Sequence, residues 1–194
     1  MPYVDVFSKI EVRCSNTARL GGVTMYTGIF KSPIGLLKIE ADNNAILSIR
    51  FSNTDIPEEV QHSNHPIIVE AITQMAEYFT GNRISFSLPL DINGTAFQKK
   101  VWQQVSTIKF GKTRTYSDIA YETGSEKAVR AVGNANSKNK FLIIIPCHRV
   151  VGSRGQLTGY SDGLWRKEWL LNHEKKLAAQ TKPNHLSDRA GVIY

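Results

Sequence analysis

Short β-prone runs separated by turn residues occupy the first part of the chain: 24–30, a turn at Ser32-Pro33-Ile34-Gly35, 36–41, a turn at Asp42-Asn43-Asn44, and 45–51. That alternation predicts an antiparallel meander. Ahead of it, residues 1–22 hold no sustained period and end in Gly21-Gly22, which predicts an irregular or weakly paired leader. Over 66–80 the spacing becomes helical. Ile67, Ile68, Ala71, Ile72, Met75, Tyr78 and Phe79 share one face, and Gly81 ends the run. A short strand over 84–88 is expected before Pro89. Residues 89–94 then mark the expected boundary between a domain over 23–93 and a second over 94–176.

The second domain reads as mainly helical. Thr95 is placed to cap a helix running to about Ile108, with Phe97, Val101, Trp102 and Val105 inward. Ser117 is placed to cap a short helix over 118–122 that stops at Gly124, and Ser125 to cap another from Glu126 to about Asn136. Helix, tight glycine turn, helix is a helix-turn-helix pattern, with Ala120, Val129 and Val132 where the helices meet. Arg130 and Lys127 fall on the outward face. A last helix from Gly163 to about Lys176 is expected to pack through Leu164, Trp165, Trp169 and Leu170, and a polar, irregular tail is expected over 177–194. The longest apolar run, 141–145, reads as a buried strand or core segment.

The 194 residues carry a formal net charge of +7, with 41% hydrophobic and 21% charged positions. That is apolar enough for a core and too mixed in sign for a disordered polyelectrolyte. No run approaches the roughly 20 apolar residues of a bilayer span, and Asp5, Lys9, Glu11 and Arg13 rule out a secretory signal over 1–20. With only two cysteines, Cys14 and Cys147, a disulfide framework is excluded and a reducing, cytoplasmic setting is expected. The charge is uneven. Residues 1–93 hold 7 Lys/Arg against 10 Asp/Glu, while 94–176 hold 15 against 6. A basic second half fits a polyanion partner and fits a solvated lysine-rich surface equally well, so it raises nucleic acid without selecting it.

The sharpest chemical feature is Pro146-Cys147-His148-Arg149. A cysteine is only a few per cent thiolate at pH 7, since its unperturbed pKa is roughly 8.5. A nucleophilic role therefore requires a base or positive field nearby, which His148 and Arg149 could supply. Neighbours on an extended strand face opposite ways, so a Cys147–His148 contact requires the chain to turn here. On residue types alone, such a dipeptide is more often a buried thiol beside an unrelated histidine. Zinc would need three or four ligands at recurrent spacing. Cys14 stands alone in the sequence, His62 and His65 have no cysteine close by, and Cys147-His148 has no second pair, so no metal site is expected.

Several ordered motifs resemble the methylated-DNA–protein-cysteine methyltransferases. They are 94–98, Val101-Trp102, 115–120, 128–133, 146–150, Gly159-Tyr160-Ser161 and 166–174, with Ser32-Pro33-Ile34-Gly35 and 77–81 resembling the family's N-terminal domain. The resemblance covers about residues 24–176. It implies an α+β protein: a ribonuclease-H-like antiparallel sheet with a helix, then a winged-helix-like domain with a helix-turn-helix. It also implies one irreversible transfer of a methyl or other alkyl group from the exocyclic oxygen of guanine to Cys147, with no cofactor, and leaves open whether alkylated thymine is accepted.

The resemblance further implies site roles. Cys147 is the acceptor, His148 takes its proton through a water, Glu174 orients the histidine and Tyr116 donates a proton to the base. On the substrate side it implies Asn139, Val150, Tyr160, Lys167 and Ser161, with Ser161 bonding the guanine oxygen and Asn139 bracing the turn before the active-site segment. For DNA it implies Tyr116, Ser117, Ser125, Arg130 and Ser153, and minor-groove binding to duplex with Arg130 filling the gap left by an extruded base. A monomer is expected. Two positions depart from the family pattern: Lys140 stands where proline is usual, and Asp162 where glycine is frequent. Asp162 would put a carboxylate at the rim of the alkyl pocket. Three rival readings remain: a helix-turn-helix regulator, a non-enzymatic alkyltransferase-like binder, and a cysteine hydrolase. Cys147 argues against the second, and repeated turnover would mark the third.

Overall fold

A computed structural model describes residues 13–20, 23–52 and 64–180. The meander forms as expected: β2 (Val23–Ser32), β3 (Gly35–Ala41) and β4 (Ile46–Phe51) pair antiparallel in sequence order. A fourth strand, β1 (Arg13–Leu20), pairs with β2 at the edge of the sheet. That segment lies inside the expected leader, the remainder of which (1–12 and 21–22) is outside the described residues. A strand rich in Ser, Asn, Thr and Arg gives no apolar alternation, because an edge strand is held by its backbone ladder.

The α1 helix (Pro66–Thr80) lays Ile68, Ala71, Ile72 and Met75 on the sheet core formed by Leu37, Ile39, Ile46 and Ile49. Pro66 starts it, where its missing N–H is no loss, and Gly81 ends it at φ 84° with its N–H bonded back to Tyr78 O. The strand expected over 84–88 is absent. Ser87 instead pairs with a side chain: its N–H donates to Gln74 Oε1 at 2.9 Å, and Gln74 Nε2 donates to its carbonyl at 3.0 Å. The buried amide of Gln74 does what a neighbouring strand would do. Further along the same segment Leu90 joins the sheet, as an isolated parallel bridge to Ile46.

The second half contains α2 (Ala96–Ser106), α3 (Tyr116–Glu122), α4 (Val129–Ser137), the short parallel pair β5 (Arg114–Thr115) and β6 (Val150–Val151), and α5 (Leu164–Gln180). Thr95 caps α2 in a full capping box with Gln98, as expected. The α3 cap is Thr115 rather than Ser117. Pairing of β5 with β6 leaves Thr115 extended, and its hydroxyl accepts from Asp118 N at 3.1 Å. Ser125 makes no side-chain cap. A single 3-10 turn over Glu126–Ala128 precedes α4, closed by Ala128 N donating to Ser125 O at 2.8 Å.

The α3–turn–α4 unit packs through Ile119, Ala120, Val132 and Ala135, and Trp102 Nε1 ties it to α2 by donating to Ala135 O at 2.9 Å. Val129, expected at that junction, is 37% exposed, because the 3-10 turn rotates the start of α4 outward. Leu164 and Trp165 also lie outside the core, Trp165 at 54% exposure, while Leu170 is fully buried and Trp169 packs against Phe79. In the first turn of α5 it is Lys167, fully buried, that faces inward, which leaves Leu164 and Trp165 on the outer side. That helix continues through 177–180, past the expected start of an irregular tail; 181–194 lie outside the described residues.

Candidate active site

The run 141–145 is buried but is no strand. Phe141 makes one parallel bridge to Ile49, and the chain then turns, with Ile143 at φ 73°. A β-branched residue there costs roughly 1–2 kcal/mol and persists only where the surroundings hold it. Asn139 does so: its Oδ1 accepts from Phe141 N at 2.9 Å and its Nδ2 donates to Ile145 O at 2.9 Å. The turn runs through Pro146 into a 3-10 turn over Cys147–Arg149, fastened by Cys147 N to Ile145 O at 2.7 Å and Asn136 Nδ2 to Cys147 O at 3.3 Å. The bend that a Cys147–His148 contact requires is therefore present.

Cys147 is 4% exposed, and burial pushes its thiol up to about 11, against a smaller downward pull from Asn139 and the Lys167 ammonium. At pH 7 a thiol of that pKa is ionised in about one molecule in ten thousand. His148 is fully buried, and burial holds it below its ordinary pKa despite the carboxylate beside it. Its Nε2 lies 2.8 Å from Glu174 Oε1, and its Nδ1 has no hydrogen-bond partner in the protein. A carboxylate can only accept, so Nε2 carries the proton and Nδ1 presents a lone pair.

Glu174, on α5, is the best-satisfied group of the site. Oε1 accepts from His148, from the Tyr78 hydroxyl at 2.8 Å and from Arg149 Nη2 at 3.0 Å; Oε2 accepts from Arg149 Nε at 2.9 Å and Gly111 N at 3.0 Å. Burial alone would raise this carboxyl. The hydrogen bonds from His148 and Arg149, with the Arg149 charge, outweigh it and hold the acid far below its usual range. Arg149 is completed by donation from Nη1 to Ile108 O at 2.5 Å.

A second group of residues surrounds the 158–163 loop. Lys167, fully buried on α5, donates to Val150 O at 2.6 Å and Thr158 O at 2.5 Å, and burial lowers its ammonium to about 8. Tyr116, in the first turn of α3, donates to Thr158 O at 3.2 Å and Gly159 O at 3.3 Å, and burial raises its phenol. Gly159 (φ 66°) must be glycine, since a Cβ would come 2.5 Å from the Tyr116 hydroxyl. The Tyr160 hydroxyl is buried with no partner. Ser161 is exposed and donates to Asp162 Oδ2 at 3.2 Å.

The structure thus sets Cys147, His148, Glu174, Asn139, Val150, Lys167 and Tyr116 in two adjoining hydrogen-bonded groups joined through the 147–150 backbone, with Tyr160 and Ser161 on the neighbouring loop. Arg130 and Lys127 are exposed at α4 and the turn before it, Ser117 is exposed on α3, Ser125 is half-buried, and Ser153 is exposed after β6. Tyr78, Gly111 and the pairing of Arg149 with Glu174 were not expected from the sequence. The one available signal was that Tyr78 lies in the motif over 77–81, where helical spacing had counted it simply as apolar.

Residues 25–92 match the family model described as the 6-O-methylguanine DNA methyltransferase ribonuclease-like domain, and 96–176 match the DNA binding domain of the same family. The methylated-DNA–protein-cysteine methyltransferase of Methanosarcina acetivorans is 44% identical over 153 residues, which cover 77% of this chain and 98% of that protein. The constitutive enzyme of Bacillus subtilis is 45% identical over 152 residues, 75% of this chain and 92% of its own. Among solved structures, the O6-methylguanine methyltransferase of Mycobacterium tuberculosis superposes with a TM-score of 0.68 at 39% identity, covering 76% of this chain and 91% of that one. The M. tuberculosis protein solved in complex with DNA gives 0.69 at 39% identity, over 77% and 92%. With both halves matched in order and the relatives covered almost end to end, the chain belongs to the 6-O-methylguanine DNA methyltransferase family.

Proposed function

We propose that this protein repairs DNA by moving a methyl or larger alkyl group from the exocyclic oxygen of guanine to Cys147, once per molecule. The supporting observation is the buried sequence of groups ending at the thiol: a neutral His148 whose Nε2 is fixed 2.8 Å from Glu174, with an unpartnered Nδ1 one residue from Cys147. His148 Nδ1 takes the thiol proton through a water, and the thiolate attacks the alkyl carbon in line with the C–O bond. The C–S bond forms as the C–O bond breaks. The guanine anion takes a proton from Tyr116, whose raised pKa keeps it a donor, and the proton held by His148 returns to the phenol through solvent. Ser161 donates to the leaving oxygen, and Lys167 supplies the positive field the thiolate needs. The protein is itself the acceptor, so the reaction requires no cofactor.

The target base must leave the helical stack to reach this site, which costs a few kcal/mol. The basic α3–turn–α4 face is assigned to the minor groove, with Arg130 filling the vacated position, Tyr116 against the neighbouring phosphate, and Ser117, Ser125, Ser153 and Lys127 on the backbone. The domains divide at residues 89–94. No helix among the described residues is long and apolar enough to cross a membrane. A monomer acting in the cytoplasm is part of this proposal. Incubation with excess duplex containing methylated guanine should consume one equivalent per chain and then stop. Continued turnover would make it a hydrolase, and binding without consumption would make it a regulator.

A further inference from the structure

One ligand of Glu174 comes from outside the half of the chain that carries the rest of the site. Tyr78, near the end of α1 and fully buried, donates to Glu174 Oε1 at 2.8 Å, the same oxygen that holds His148 Nε2 at 2.8 Å and Arg149 Nη2 at 3.0 Å. Its ring is fixed edge-on by Phe79 and Phe110 and tilted against Phe86 and His173. A tyrosine serving only as core filler would be as well replaced by phenylalanine, because a buried hydroxyl costs desolvation unless it is used. This one is aimed at the oxygen on which the imidazole depends.

We propose that Tyr78 is a positioning residue for the alkyl transfer, drawing carboxylate charge away from His148 and so setting the basicity of the imidazole. The inference rests on the function proposed above, in which His148 takes the Cys147 proton. Donors that share one oxygen each reduce its attraction for the others. His148 faces Glu174, Arg149 and Lys167, and Glu174 faces Tyr78, Arg149 and the Gly111 amide, while Tyr160 adds to the surroundings of Tyr78. Burial and the Glu174 charge hold the phenol protonated, so it remains a donor wherever the site works. Without it, Glu174 would bind imidazolium more strongly and His148 would keep its proton to higher pH. An imidazolium cannot accept the thiol proton.

The test is the single-turnover rate of methyl transfer from duplex DNA against pH, for the full chain and Tyr78→Phe. The acid limb of the variant is expected at least about half a unit higher, which is about a threefold loss of rate on that limb, with the plateau retained. A ring-fluorinated tyrosine at position 78 keeps the fold and is a stronger donor, so it is expected to move the limb downward. Wild-type transfer with a limb that neither replacement moves overturns the inference alone. Wild-type protein that transfers no methyl overturns the proposed function and this inference with it.

Discussion

Ile143 and Asn139 carry opposing costs at neighbouring positions. Replacing Ile143 by glycine relieves roughly 1–2 kcal/mol of backbone strain, yet it removes a fully buried side chain at a cost of about 2–5 kcal/mol. Ile143→Gly is therefore expected to be net destabilising in urea titration. Asn139→Ala leaves the buried Phe141 N–H unpaired, costs about 1–3 kcal/mol by the same titration, and slows alkyl transfer further by releasing the turn that places Cys147. Single residues were where the sequence was hardest to read. Periodicity marked 141–145 as apolar but could not register a left-handed backbone, and it counted Tyr78 as core because a tyrosine on an apolar face gives no sign of where its hydroxyl points. The Cys147-His148 dipeptide was legible as chemistry only because other motifs accompanied it in order.

Elements with a buried face were legible, and those held by their backbones or by side-chain bonds were not. α1 and β2–β4 follow their hydrophobic periods closely, since burying those faces is what forms them. β1 shows no period because it sits at an edge, and the segment over 84–88 failed to become a strand because Gln74 already satisfied Ser87. The caps separate in the same way. Thr115 accepts the Asp118 amide, so Thr115→Ala is expected to lower stability by about 1 kcal/mol. Ser125 caps nothing through its side chain, so Ser125→Ala should stay within about 0.5 kcal/mol. Thermal melts of the two variants check both, and equal losses would contradict the assignment of the α3 cap.

Across the whole molecule, the buried ionisable network couples stability to acid. Glu174 is depressed in the folded state, and its contribution is present above its unfolded value near 4.5 and lost below it. His148 is held neutral by burial, so the unfolded chain binds a proton first, and stability falls as pH drops through 6.5. The thermal midpoint is expected to decline from about pH 6.5 downward and more steeply below about 4.5. In His148→Gln the upper part of that decline should shrink, and an unchanged profile would contradict a neutral buried imidazole. The division of charge between the halves was legible at this scale, whereas the contact of α1 with the site was not, because Tyr78 and Glu174 lie 96 residues apart.

The most direct measurement is the peptide-resolved mass of the protein after exposure to duplex DNA containing methylated guanine. The peptide carrying Cys147 should gain about 14 Da, the mass difference between thiol and methyl thioether, and the Cys147→Ser protein should gain nothing. Methyl on another residue, or consumption of the lesion with the Cys147 peptide unmodified, would contradict the account.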